Sequence, residues 1–264
     1  MNTTPAPGYA FAELGELVQD HAASRSAAYD PFTVERLAAT GVGAGWSCLE
    51  VGAGEGEIAH WLVRRVAPGG RVLAVDLAPE RVPAAAGLRI ERHDIGHDPL
   101  PTAEFDLIHA RLVLQHVPER QAALDRLRTA LRPGGWIQID EFDVSYGPVL
   151  MAPSAEAARL YETFLAAKNR ALAATGARPT WGREVAADLA AAGFEAVDPQ
   201  PRIVLWQAGH PGLELLVSHT RTLRDRLLEQ GMTDSQLEQV RAVMRHPGFR
   251  AASCVRYCVQ ARRP

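Results

Sequence analysis

Short apolar runs alternate with amphipathic segments along most of this chain, and this alternation limits its fold more than any other feature. "WSCLEV", "RVLAVD" and "EFDLIHA" have the length of strands and begin at Trp46, Arg71 and Glu104. Between the first two, Ile58, Leu62 and Val66 recur at helical spacing. Strands that alternate with helices form βαβ units and a mostly parallel sheet with helices on its faces. We therefore predict an α/β fold with a doubly wound sheet.

The same pattern predicts seven strands. The other four are "LRIERHDI", "WIQIDEFD", a segment at 197–206 and the closing "ASCVRYCVQAR". Helices are expected from about Glu119, over 154–175, up to Gly193, and twice more between the last two strands. Thr233 and Gln236 form a capping box for the second of these two helices.

Neither repeats nor low-complexity linkers divide the chain, so we expect one folded body. Residues 1–45 are predicted to be separate cap helices, with "AAYDP" as the break between two of them. Residues 46–264 form the main domain, with cap insertions at about 144–181 and 207–249.

Composition excludes several kinds of partner. A net charge of -3, with 47% hydrophobic and 22% charged residues, gives no reason to expect nucleic acid. The first residues lack the basic segment and apolar core of a signal peptide, and no apolar run approaches the roughly 20 residues of a membrane span. We expect a cytoplasmic protein. Its three cysteines, without a CxxC pair, are interpreted as buried, reduced strand residues.

Three glycines follow the first strand in "LEVGAGEG", at positions 52, 54 and 56. Ligands of open α/β sheets bind beyond the carboxyl ends of the strands, and a glycine turn lets a ligand approach the backbone. The dinucleotide pattern would need a third glycine where this chain has Glu57, and no Gly-Lys-Ser/Thr sequence is present. Dinucleotides and nucleoside triphosphates are therefore disfavoured.

A carboxylate ends each of the next two strands. Asp76 lies about 20 residues past the last glycine, the spacing of a ribose-hydroxyl acceptor, and Glu50 adds a carboxylate beneath the turn. Asp76 could instead be a helix cap and Asp94 a turn former. Their joint occurrence at successive strand ends favours an acidic nucleoside site, which suits a ligand with a ribose, an ammonium and a sulfonium, as in S-adenosylmethionine.

The motifs "LEVGAGEG", "VLAVDLAP", "RHDI", "FDLIHARLVLQHVPER" and "LRPGGWIQIDEFD" resemble the successive motifs of class I S-adenosylmethionine-dependent methyltransferases that modify small molecules. The resemblance covers Trp46 to Asp143. It implies that the methionine portion contacts Glu50, Gly52, Ala53 and Gly54 and passes beside Ala110 and Arg111. It also implies that the ribose hydroxyls contact Asp76, that the adenine amino group contacts Asp94, and that the adenine faces pack on Leu77 and Ile95.

Methyl transfer from a sulfonium needs mainly a well-placed acceptor, and a base is optional. The candidate bases are His219, His116 and Glu141, whereas His109 is interpreted as a packed core histidine. Glu141 belongs to an acidic trio with Asp140 and Asp143, one member of which is expected to pair with Arg111.

No metal is expected, because a metal-dependent catechol-type site would need asparagine or aspartate just after the fourth strand. The chain has Ala110, Arg111 and Leu112 there.

The expected function is methyl transfer to an oxygen, or else a nitrogen or carbon, of an apolar or aromatic small molecule in specialised metabolism, by a monomer or homodimer. The alternatives are a cyclase or rearrangement enzyme that binds the same cofactor without net methylation, and an NAD-dependent oxidoreductase. Substrate selection is assigned to aromatic residues outside the motifs. These are Tyr9, Phe11, Tyr29, Phe32, Tyr146 and Trp181.

Overall fold

The computed structural model of this protein describes residues 18–264. Its strands are β1 Ser47–Val51, β2 Arg71–Asp76, β3 Leu88–Arg92, β4 Phe105–Arg111, β5 Leu131–Asp143, β6 Val149–Met151, β7 Glu195–Arg202, β8 Leu205–Gln207, β9 Arg250–Ala252 and β10 Val255–Arg262. Its α-helices are α1 Val18–Ala39, α2 Glu57–Val66, α3 Arg120–Ala130, α4 Ala155–Ala173, α5 Val185–Ala191, α6 Pro211–Thr222, α7 Arg224–Glu229 and α8 Asp234–Arg245.

The chain divides into two compact units. The sheet unit comprises Asp30–Asp143, Thr180–Arg202 and Arg256–Pro264, and the helical unit comprises residues 18–29, Val144–Pro179 and Ile203–Val255. The bounds predicted for the cap insertions differ from these by a few residues. Whether the helical unit acts as a cap stays a prediction.

The sheet unit contains seven strands in the order β3-β2-β1-β4-β5-β10-β7. β1 runs parallel to β2 and to β4, β2 is parallel to β3, and β4 is parallel to β5. β10 and β7 are antiparallel. The predicted doubly wound, mostly parallel seven-stranded sheet is confirmed.

Helices cover both faces of this sheet because side chains alternate along each strand. In β1, Leu49 and Val51 belong to an apolar cluster that also contains residues of α3 and α5. Cys48, which precedes Leu49 and so faces the other side, belongs to a second cluster with residues of α1 and α2. Because the core strands have both faces covered, apolar residues face both sides of the sheet.

Helix α1 corrects one prediction. It runs unbroken from Val18 to Ala39 with Pro31 inside it, so "AAYDP" is not a break. A proline removes one backbone hydrogen bond and disfavours a helix, but Thr33 and Leu37, just beyond it, are fully buried. Tertiary packing therefore outweighs the local penalty. The predicted cap residues Tyr9 and Phe11 lie outside the described residues.

The predicted strand at 197–206 is in fact two strands in two sheets. β7 forms the edge of the seven-stranded sheet, where Pro199 and Pro201 are tolerated because an edge strand needs fewer N–H donors. β8 joins a second sheet of order β6-β9-β8, which the sequence analysis missed. Its strands have three residues each, which is too short to produce a periodic pattern.

The helical unit has its own apolar core, which includes Tyr161 and Phe164 of α4 and Val240 of α8. The capping box that opens α8 is confirmed, because Thr233 Oγ1 accepts from Gln236 N at 3.2 Å and Gln236 Oε1 accepts from Thr233 N at 2.9 Å. Three helices, rather than the expected two, separate β8 from β9, because the short α7 was missed.

The cysteines match their prediction in two cases. Cys48 and Cys258 are buried strand residues, whereas Cys254 is half-buried between β9 and β10. Across residues 18–264, no helix is both long and apolar enough to cross a membrane.

Candidate active site

The glycine turn joins β1 to α2 at the carboxyl end of the sheet. Gly52, Gly54 and Gly56 have φ angles of +66°, +59° and +87°. Gly52 N donates to Val75 O at 2.8 Å, which ties the turn to β2. A Cβ on Gly52 would overlap the side chain of Val113. The turn therefore requires glycine, and it presents backbone rather than side chains.

Gly52→Ala should lower the free energy of unfolding by roughly 2–4 kcal/mol, because backbone strain and overlap with Val113 add together. Gly41→Ala is the matched control. Gly41 has a similar φ of +84° but nothing within 4 Å of an added Cβ, so it should cost only about 1–2 kcal/mol. Urea denaturation of both variants measures the difference, and equal losses would show that Val113 moves aside freely.

Asp76 connects the end of β2 to the glycine turn. Its Oδ2 accepts from Gly54 N at 2.9 Å, and its Oδ1 accepts from Ala78 N at 2.9 Å. Each carboxylate oxygen has a second lone pair, so further hydroxyl donors can bind. The next residue, Leu77, is 57% exposed, which leaves a large apolar side chain open at this edge.

Asp94 follows β3, the neighbour of β2. Its Oδ1 accepts from Gly96 N at 2.8 Å, and its Oδ2 lies 2.9 Å from His97 Nδ1. Burial acts to raise the pKa of Asp94, but the hydrogen bonds with His97 and Gly96 together outweigh it and lower that pKa. Ile95 is buried, and its carbonyl accepts from Arg126 at 2.8 Å. The structure thus brings the glycine turn, Asp76 and Asp94 to the ends of adjacent strands.

Glu50 lies behind the turn, in β1, and is 3% exposed. Its Oε2 is 2.7 Å from Nδ1 of His109, which pairs with it in register from β4 and is fully buried. His109 Nε2 lies 3.8 Å from Oδ2 of Asp140 in β5. Burial lowers the pKa of His109, but the two carboxylates outweigh it and raise that pKa to about 9.

His109 is therefore positively charged and lies between two carboxylates. It is buried in the core as predicted, but its charge was not predicted. A signal existed in the sequence. Strand register pairs Glu50 with His109 and His109 with Gln138, so three polar residues face the same side of an otherwise apolar sheet.

The end of β4 carries Ala110, which is buried in the core, and Arg111. The prediction that Arg111 pairs with the acidic trio is wrong within the described residues. Its Nη1 lies 2.7 Å from Oδ1 of Asp30 on α1 and 3.3 Å from Thr33 Oγ1. Asp30 belongs to α1, in the part of the chain that was predicted only as separate cap helices.

The acidic trio is divided among separate partners. Asp140 accepts from the Thr33 hydroxyl and from Gln138 Nε2, while Asp143 pairs with Arg183 at 2.6 Å. Glu141 Oε1 accepts from Gln115 N at 3.2 Å. Within residues 18–264, no group of three histidine, cysteine or acidic side chains is arranged to hold a metal ion.

Glu141 is fully buried, and its Oε2 has no hydrogen-bond partner within the described part of the chain. Burial raises its pKa to about 8, although backbone N–H groups of residues 113–115 oppose this shift. Glu141 is therefore protonated at neutral pH.

The two candidate histidines lie in different units. His116 ends a short 3₁₀ helix after β4, and burial together with Arg120 lowers its pKa to about 4, so it is neutral at pH 7. His219 is buried on α6 of the helical unit. Trp181 is a core residue that donates to Asp188 at 2.7 Å, whereas Tyr146 is exposed.

Comparison with known proteins identifies the family. A family model described as "Methyltransferase domain" matches residues 18–198, well over half of the chain. The chain belongs to the methyltransferase-domain family. Among solved structures, this methyltransferase resembles a putative methyltransferase from Bacillus halodurans (TM-score 0.57, 14% identity, 88% of this chain and 98% of that one). It also resembles a SAM-dependent methyltransferase from Aquifex aeolicus (0.51, 17%, 91% and 93%).

Curated relatives match over shorter stretches. Methyltransferase str2 of Strobilurus tenacellus is 36% identical over 99 residues, which are 36% of this chain and 35% of that protein. Methyltransferase str3 of the same organism is 32% identical over 114 residues, 42% of this chain and 41% of that protein. The match therefore spans about two fifths or less of the length of either relative. The predicted class I family and its cofactor, S-adenosylmethionine, are confirmed.

The residues present fit this cofactor. The glycine turn presents backbone at Gly52 and Gly54, and Asp76 has lone pairs left for a ribose diol. The exposed Leu77 provides an apolar surface for a planar base. Glu57 opens α2, so a carboxylate occupies the position where a dinucleotide would place its pyrophosphate.

Proposed function

We propose that this methyltransferase transfers the methyl group of S-adenosylmethionine to an oxygen of an apolar or aromatic small molecule. The observation that carries the proposal is the Asp76 carboxylate, hydrogen-bonded to Gly54 N and Ala78 N at the carboxyl end of β2. It supports a ribose site directly beside a bare glycine turn, which is the arrangement that a nucleoside sulfonium needs.

Each predicted cofactor residue has a role in this proposal. Gly52, Ala53 and Gly54 present backbone to the methionine portion, with Ala110 and Arg111 beside it and the Glu50 carboxylate behind. Asp76 accepts from the ribose hydroxyls, and Asp94 accepts from the adenine amino group. Leu77 and Ile95 pack on the adenine faces.

The bound cofactor supplies a methyl group that the sulfonium has already activated. The chain must therefore hold the acceptor in line, exclude water and, for a phenol of pKa near 10, take up its proton. His116, His219 and Glu141 are the candidate proton acceptors. His116 is neutral at pH 7, whereas Glu141 gains acceptor capacity only as the pH rises through about 8.

Calorimetric titration with S-adenosylmethionine, its demethylated product and NADH tests the cofactor. Micromolar binding of the first two and none of NADH is expected, and tight NADH binding would overturn the proposal. Incubation with a panel of phenols then tests the reaction by mass spectrometry. The expected product is heavier by one methylene, whereas a product of unchanged mass would indicate a cyclase or rearrangement enzyme.

A further inference from the structure

Two carboxylates and one imidazole are buried together beneath the glycine turn. Glu50, His109 and Asp140 are 3%, 0% and 0% exposed, and we name them the buried triad. They lie on three adjacent strands, with 2.7 Å between Glu50 Oε2 and His109 Nδ1 and 3.8 Å between His109 Nε2 and Asp140 Oδ2. These distances leave no room for a water molecule between the groups, so their charges interact strongly.

Charged and polar groups surround the triad. They include Thr33 and Arg36 on α1, Arg111 on β4, Gln138 on β5, and Cys258 and Gln260 on β10. The buried Arg256 lies on the same face of β10 as Cys258 and Gln260. Asp30 pairs with Arg111, and Asp198 pairs with Arg36. Burial raises the pKa of Cys258, so its thiol is neutral. Two carboxylates and one imidazolium leave the triad itself with one excess negative charge when it is fully ionised, and burial of that charge favours retention of a proton.

The two carboxylates are stabilised unequally. Asp140 accepts from Thr33 and Gln138, whereas His109 is the hydrogen-bond partner that the structure gives Glu50. Burial raises the pKa of Glu50. Burial acts the same way on Asp140, but the nearby imidazolium of His109 and the hydrogen bond from Thr33 outweigh it and lower that pKa. The retained proton thus belongs to the Glu50–His109 pair, next to the turn.

We propose that the Glu50–His109 pair releases a proton to solvent when the cofactor, with its sulfonium and ammonium groups, binds at the glycine turn, so that affinity for S-adenosylmethionine increases with pH. This inference rests on the proposed function. A cation near the pair lowers its proton affinity, and linkage requires that protonation weaken binding of the cation in return. No bond other than one O–H or N–H bond changes. His109 is a positioning residue here, because it acts through Glu50.

Calorimetry at pH 8.5 in two buffers of different ionisation enthalpy counts the protons released. The α-amino group of the ligand titrates near this pH, so the readout is the difference between the protein and His109→Gln. We expect about 0.3 or more additional protons per bound S-adenosylmethionine in the unmodified protein, and an affinity gain between pH 7 and 9 about three- to tenfold larger than in the variant. The demethylated product, without the sulfonium charge, should release fewer.

A second readout needs no variant. In protein labelled at histidine, the NMR titration of His109 should shift to lower pH by about one unit when S-adenosylmethionine is added. His246, exposed at the end of α8, should not shift and serves as the control.

The outcomes separate the two proposals. If S-adenosylmethionine does not bind at all, the proposed function fails. If it binds with the same proton count in both proteins and the His109 titration does not move, the proton linkage is overturned while the function stands. Should His109→Gln fail to fold, the NMR titration alone decides.

Discussion

Asp76→Ala should weaken binding of S-adenosylmethionine by about 2–4 kcal/mol, roughly 30- to 1000-fold in Kd. In the proposed site the carboxylate accepts two ribose hydroxyls, and both bonds are lost. The variant also leaves Gly54 N and Ala78 N without their acceptor, which loosens the turn that faces the methionine portion. Calorimetric titration of the purified variant gives the Kd directly.

Asp76→Asn separates these contributions, because its amide oxygen can still accept one backbone N–H while the negative charge is gone. Asp225→Ala, an exposed aspartate of α7, is the control for loss of a surface charge and should bind normally. Unchanged affinity in a folded Asp76→Ala protein would show that the ribose does not bind at β2.

The sheet could be predicted because its information is local. Buried strands such as β1 and β2 are continuous apolar runs, and each is followed by glycine or aspartate at the edge where ligands bind. Gly52 directly follows β1 and Asp76 is the last residue of β2, so their convergence follows from parallel topology alone.

The predictions that were wrong or incomplete concern features that depend on contacts between residues distant in sequence. Pro31 predicts a break that Thr33 and Leu37 override through burial. The pairing of Arg111 with Asp30 depends on how α1 packs on the sheet, which no periodicity encodes. His109 could have been assigned a charged role only by aligning β1 with β4 residue by residue.

The second large effect concerns Glu141 and the pH dependence of stability. In the unfolded chain its pKa is about 4.5, whereas burial raises the pKa to about 8 in the folded protein. Between these values the folded state binds more protons, so stability is fully present below pH 4.5 and is lost as the pH rises through 8. The shift corresponds to a loss of up to about 5 kcal/mol at high pH.

Glu141→Gln should remove this loss, because a neutral amide has nearly the shape of the protonated acid. We expect equal stability of variant and unmodified protein near pH 4.5 and a more stable variant at pH 8.5, measured by urea denaturation. Glu162→Gln, at an exposed position of α4, should give no such difference. The raised pKa of His109 also makes stability fall as the pH rises from 6.5 through about 9. His109 is present in both proteins, so this contribution cancels in the difference.

The outcome also bears on the catalytic base. The stability of Glu141→Gln relative to the unmodified protein is expected to increase with pH. If it does, Glu141 is protonated at neutral pH and cannot take up an acceptor's proton there, which leaves His116 and His219. If the difference in free energy of unfolding between the two proteins does not change with pH, Glu141 is ionised in the folded protein and a donor reaches its Oε2. In that case Glu141 becomes the first of the three candidates, and its substitution should lower kcat for a phenol by about 10²–10⁴-fold while leaving cofactor affinity unchanged.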